Sequence, residues 1–121
     1  MEIRFSVALK SENPKTIRVS DTFPKELLGE YIVRELNAQE AIDAQNAFIA
    51  ENKEVQDNPD KVSVEAYTSR MIETATTLNG SPFKMPKLDT VPKRYYDVLV
   101  AAFEKLNGIS NAEAVFLLQP S

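Results

Sequence analysis

The residues that could do chemistry in this chain are few, and the missing ones narrow the field first. Its 121 residues include no cysteine and no histidine. Disulfides and thiolate metal sites are therefore excluded, and so are the usual general base near neutral pH and the commonest metal ligand. Hydrolysis would need a carboxylate pair, a Ser–Lys arrangement or a metal held by oxygen alone. Asp57, Asp60 and Glu65 could together approach a hard cation, but they lack the alternating acidic loop with its glycine and distant glutamate. With three glycines in all, the chain has no glycine-rich loop to cradle a phosphate. Ser63 and Ser110 are accounted for as helix caps. The expectation is a non-enzymatic protein with no catalytic residue, no cofactor and no metal.

Binding chemistry is better represented. In residues 81–91, SPFKMPKLDTV, Phe83 and Met85 interleave with Lys84 and Lys87. Such a loop can stack on single-stranded nucleic acid. More often such a loop tucks one aromatic into the core and leaves its lysines in water. Two apolar helices joined at Gly108 have the outline of a helix-turn-helix. The second would offer Asn111, Glu113 and Gln119 among Val, Phe and Leu, the wrong surface for base edges. The net charge of −4 also argues against bulk nucleic-acid binding. That charge is split. Residues 26–60 carry nine acids against Arg34 and Lys53, while residues 82–94 carry Lys84, Lys87, Lys93 and Arg94 against Asp89. Opposite patches are solvated faces, or they steer a partner or a second copy.

The elements that must position these residues follow from periodicity. Ile3, Phe5, Val7 and Leu9 alternate with polar or small residues, the period of a half-buried strand. Residues 11–15, Ser-Glu-Asn-Pro-Lys, read as a turn, and Ile17 and Val19 as a return strand. Pro24 and Gly29 mark a connection with one helical turn at 24–28. Residues 31–36 form a third strand that runs into Asn37, with Glu40 three positions later: a reciprocal capping box. The helix that follows, about 38–54, has a stripe of Ala38, Ala41, Ile42, Phe48 and Ile49 with Gln45 in its middle. Asn58-Pro59-Asp60 interrupts. A second helix, about 64–78, carries Val64, Tyr67, Met71, Ile72, Ala75 and Leu78 on one face and stops at Asn79-Gly80.

Pro92 suits the first turn of a third helix, about 92–106. Tyr96, Leu99, Phe103 and Leu106 form one apolar stripe, and Tyr95, Val98 and Ala102 another, so this helix should have neighbours on two sides. Asn107-Gly108 ends it, repeating the Leu-Asn-Gly of 78–80. Ser110 and Glu113 cap a last helix, about 111–118, whose Ala114-Val115-Phe116-Leu117-Leu118 is apolar all round. The fold class expected is α+β and predominantly helical. One domain, 1–121, would hold a small antiparallel sheet (a hairpin plus one strand) in residues 1–36 and a bundle of about four helices in 37–119. The N-terminus does not read as a signal peptide, and no run approaches the roughly 18 apolar residues that span a bilayer. A cytoplasmic protein is expected.

Two stretches, YIVRELNAQEAIDAQ and LDTVPKRYYDVLVAAFEKLNGISNAEAVFLL, together resemble the small tail assembly chaperones of long-tailed bacteriophages and prophages. The shared features are the Arg34-Glu35-Leu36 step into a polar cap and an Ala- and Glu-rich helix, then Leu88 to Pro92, Tyr95/Tyr96 to Leu106-Asn107, and Glu113 to Phe116-Leu117. The resemblance covers about residues 30–118 and leaves 1–29 outside. It implies a protein that coats the tape measure protein during tail building, helps recruit tail tube protein and is absent from the mature virion. Many such proteins also have a longer frameshifted form. On this reading Tyr95, Phe116, Leu117 and Leu118 contribute the apolar partner surface, with Lys84 and Lys87 beside it. The apolar C-terminal end and the split charge are compatible with self-association. Two other readings stand beside it: a structural tail or head-completion component, and a small nucleic-acid-binding regulator using Lys84, Lys87, Lys93 and Arg94.

Overall fold

In the computed structural model, residues 1–9, 16–51 and 64–108 are described here, with side-chain burial for 64 and 65 left aside. The alternating N-terminus forms β1 (Glu2–Leu9). It is flanked by β2 (Thr16–Val19) and β3 (Gly29–Arg34). A 3-10 turn at Lys25–Leu27 leads into β3. Then come α1 (Ala38–Glu51), α2 (Val64–Ala75), β4 (Thr76–Leu78), β5 (Ser81–Pro82), a second 3-10 turn (Leu88–Thr90) and α3 (Lys93–Asn107). The strands make one five-stranded mixed sheet in the order β2-β1-β3-β4-β5.

This overturns the expected hairpin-plus-strand sheet and four-helix bundle. Among the described residues there are three α-helices against five strands. The fourth predicted helix, about 111–118, and the Ser63, Ser110 and Glu113 caps lie outside them, as do Asp57, Asp60 and the end of the first predicted helix. Two corrections have distinct physical causes. First, β1 and β2 pair in parallel, with Val7 opposite Ile17 and Leu9 opposite Val19. Alternation fixes which face of a strand is buried but carries no information on its direction, so either pairing puts Ile17 and Val19 beside Val7 and Leu9.

Second, residues 76–82 form a hairpin, where a helix end and a loop were expected. Leu78 lies opposite Ser81, and the two residues between them both have positive φ: 52° at Asn79 and 83° at Gly80. Two consecutive left-handed residues are what a two-residue hairpin turn matching the sheet twist requires, and Asn-Gly supplies them cheaply. Thr76 and Thr77, branched at Cβ, favour strand over helix.

One face of the sheet is apolar. Register aligns Phe5 with Tyr31, Ile3 with Val33, Tyr31 with Leu78 and Val33 with Thr76. Helices α2 and α3 cover this face, and α1 packs on α2. Val7, Tyr31, Ile72, Tyr95 and Leu99 are the centre of the core, each at 1% exposure or less. The opposite face presents Glu2, Arg4, Glu30, Arg34 and Arg18 to solvent. No helix among the described residues is long and apolar enough to cross a membrane.

Helix α1 buries only part of its expected stripe: Phe48 is buried, Ala41 and Ile49 are half-buried, and Ala44, outside the stripe, is buried as well. The Phe48 ring meets Tyr67 of α2 edge-on at 5.4 Å. Ile42 is 49% exposed, and Ala38 and Gln45 are exposed with it. In α3, Tyr95, Leu99 and Ala102 are buried, while Tyr96, Val98, Phe103 and Leu106 are half-buried.

Candidate functional site

Strand β3 organises the described part of the molecule, and three kinds of contact hold it. At its centre, the Tyr31 hydroxyl donates to the Leu27 carbonyl and lies 2.8 Å from the Tyr95 hydroxyl. With the Tyr31 proton so engaged, the Tyr95 hydroxyl is the donor of that second bond. Both rings are fully buried. Phe5 stacks on Tyr31 at 5.0 Å, and Phe83 and Tyr95 approach it edge-on. Burial disfavours the phenolate, so the Tyr31 pKa is pushed up to about 12. That of Tyr95 is raised as well, first by burial and then by its bond to Tyr31.

The two ends of β3 are held by two asparagines. Asn79, in the β4–β5 turn, accepts from the Glu30 N–H at 2.9 Å and donates to the Leu28 carbonyl at 3.1 Å. Its own backbone N–H donates to the Glu30 carbonyl. This contact requires a glycine at position 29: its φ is 135°, and a Cβ there would lie 2.1 Å from Asn79 Oδ1. Asn107, at the last turn of α3, accepts from the Leu36 N–H at 2.6 Å and donates to the Arg34 carbonyl at 3.2 Å. Each amide thus treats the strand end as a further strand would.

Just beyond β3 the predicted capping box is present. The Glu40 N–H donates to Asn37 Oδ1 at 2.8 Å, and the Asn37 N–H donates to Glu40 Oε1 at 3.2 Å. Arg34 adds a two-pronged ion pair to the same carboxylate. Bonding from Arg34, then from the Asn37 backbone, lowers the Glu40 pKa.

The expected partner-binding residues separate under this geometry. Tyr95 has no accessible surface, so it serves the core rather than any exposed contact in this structure. Phe116, Leu117 and Leu118 lie outside the described residues. Lys84 and Lys87 are exposed, but the aromatic between the strand and the loop, Phe83, is 4% exposed and belongs to the core. Met85 is half-buried, with its N–H donating to Glu73 Oε1 at 2.8 Å. The loop therefore offers charge without a free aromatic to stack a base on. Among the described residues, no group of three acids could hold a metal ion.

A surface that sequence reasoning missed lies at the outer side of β2. Thr16, Ile17, Arg18, Arg94 and Val98 line a solvent-open groove of about 410 Å³ between that strand and α3. A second depression, lined by Val19, Ser20, Thr22, Phe23, Thr90, Pro92 and Arg94, shares Arg94 with it. The Arg94 guanidinium donates to the Arg18 backbone carbonyl. The first turn of α3 has no acid and no side-chain cap. Arg94 was visible in the sequence as part of a basic run, but its pairing with a residue 76 positions earlier has no local signal.

No protein-family model matches the chain, and no curated protein and no solved structure matches it either.

Proposed function

We propose that this chain is a tail assembly chaperone of a long-tailed phage or prophage, acting in the host cytoplasm without catalysis. It binds the tape measure protein during tail building, helps recruit tail tube protein, and leaves before the tail is complete. One observation carries the reading. The two stretches that hold the resemblance are far apart in sequence, yet they meet: Asn107 of the Leu106-Asn107 stop bonds both Arg34 and Leu36 of the Arg34-Glu35-Leu36 step. The contact between Asn107 and the Arg34–Leu36 step supports the reading.

The tape measure protein is expected to be a long helix with apolar stripes that need cover until the tail encloses them. The hydrophobic run at 114–118 is the surface assigned to it, and the acidic charge of residues 26–60 keeps the complex soluble. Replacing Phe116 and Leu117 together by Ser should abolish co-purification of the co-expressed tape measure protein while the circular-dichroism spectrum stays that of a folded α/β protein. Undiminished capture would contradict the assignment. Mass spectrometry of mature particles should find tail tube protein and none of this chain, and its presence there would favour a structural component. Gene order provides the simplest check: a tail tube gene upstream and a very long gene downstream.

A further inference from the structure

Helix α1 is apolar over more of its circumference than α2 covers. Tyr67 of α2 meets Phe48, and Ala44 is buried on the same side. Beside that line, Ala38, Ile42, Gln45 and Ile49 recur three or four positions apart and so share one face. Ala38 and Gln45 are exposed, and Ile49 is half-buried. Ile42 is 49% exposed. Among the described residues three large apolar side chains are exposed, Met1, Ile42 and Leu88, and of these only Ile42 lies in an α-helix.

We propose that this face of α1 is the docking site of the chain's own apolar segment, residues 111–118, which packs along it from Ala38 toward Gln45. Position, length and charge select that occupant. Asn107 bonds the Leu36 N–H, and Leu36 and Leu106 pack on the same core cluster. Gly108, the last described residue, therefore lies beside the start of α1. Residues 109 and 110 alone separate it from the segment, and so short a tether sets an effective concentration on the order of millimolar. Eight helical residues rise about 12 Å, close to the length of α1 from Ala38 to Gln45. Helix α1 carries Glu40, Asp43 and Glu51 and no base, so its face suits an occupant with little negative charge. Residues 111–118 carry one acid, Glu113, and end in five apolar residues in a row. A second copy of α1 is a poor occupant, since it would set three acids against their own counterparts. The consequence is that the run 114–118 is sheltered on α1 until a partner takes it. That consequence rests on the reading of the run as a partner surface; the contact itself does not.

The test uses the full chain alone, which has no cysteine of its own. Gln45→Cys is combined with Val115→Cys or with Leu117→Cys, two positions on opposite sides of the segment, and each pair is oxidised mildly at low protein concentration. One of the two pairs is expected to close an intramolecular disulfide at least roughly tenfold faster than the same tail cysteine combined with Asp43→Cys, which is exposed and lies off the face. Ile42→Glu, an exposed change that leaves the circular-dichroism spectrum intact, should remove that advantage. The inference is overturned by equal rates at positions 45 and 43 for both tail cysteines, or by an advantage that survives Ile42→Glu. Disulfides that form mainly between chains would assign the face to a second copy and overturn it too. Because no partner is present, fast closure upholds the contact even where capture of the tape measure protein fails.

Discussion

The tripeptide Leu-Asn-Gly occurs twice, at 78–80 and at 106–108, and does two different things. After Thr76 and Thr77 it turns a hairpin, with positive φ at both Asn79 and Gly80. After the fifteen-residue α3 it ends a helix, where Gly108 has φ 91° and donates its N–H to the Glu104 carbonyl at 2.8 Å. Only the second is the helix stop that the sequence suggests for both. The local signal is therefore a change of direction, and the preceding residues decide which element changes. What the two copies share is non-local. Each asparagine clamps one end of β3, Asn79 at Leu28 and Glu30, Asn107 at Arg34 and Leu36.

The comparison can be broken most severely at Gly29. Gly29→Ala would place a methyl group against the Asn79 amide and force alanine into a region it avoids. The cost should be about 3 kcal/mol, read from urea unfolding. In an Asn79→Ala background the same change should cost less, because the clash is gone, and a cycle with no such coupling would argue against the Asn79 clamp.

Asn107→Ala comes next, at about 2 kcal/mol, since it leaves the half-buried Leu36 N–H without its acceptor. Asn79 can be dissected more finely. Asn79→Ala loses the clamp and the tolerance for positive φ, costing about 1.5 kcal/mol. Asn79→Gly keeps the turn and loses only the side-chain bonds, so it should cost about 1 kcal/mol or less. Equal losses for the two substitutions would show that the amide, and not the backbone, carries the whole effect.

The smallest effect is expected between the clamps. Tyr95→Phe removes one hydroxyl bond to Tyr31, which keeps the Leu27 carbonyl, for about 1 kcal/mol. Its signature is in the pH dependence. Both tyrosines have folded pKa values raised above their usual 10, that of Tyr31 to about 12. The folded state thus holds its protons more tightly than the unfolded one. Their stabilisation is complete below about pH 10 and falls as pH rises above it, the part due to Tyr31 being lost as pH rises through about 12. Thermal melts on that alkaline limb should fall less steeply for Tyr95→Phe than for the native chain.

How much of this was readable from residues alone divides along the same line. The Asn37–Glu40 box, the β1 alternation, the start of α3 near Pro92 and its stop at Gly108 are all set within a few residues, and the structure contains each. The parallel β1–β2 pair was unreadable because alternation is blind to direction. The hairpin was misread because Leu78 continues the helical spacing of Ile72 and Ala75, while the competing signals, Thr-Thr and Asn-Gly, are just as local. In α1 the expected stripe of Ala38, Ala41, Ile42, Phe48 and Ile49 is buried at Phe48 but exposed at Ala38 and Ile42, while Ala44, outside it, is buried. The packing of Phe48 on Tyr67 turns the buried line that way. Of the candidate site, the exposure of Lys84 and Lys87 was readable. The apolar stripe that carries Tyr95 was readable, but the partner that satisfies its hydroxyl, 64 positions earlier, was not. The Arg18–Arg94 groove was hidden for the same reason.

The central structural claim, that two equivalent asparagines independently clamp the two ends of β3, is tested most directly by backbone amide hydrogen exchange at Glu30 and Leu36. Exchange at Leu36 should accelerate roughly tenfold or more in Asn107→Ala with Glu30 unchanged, and the reverse should hold in Asn79→Ala. If both amides accelerate together in either variant, or if neither responds, the two clamps are not what holds the strand.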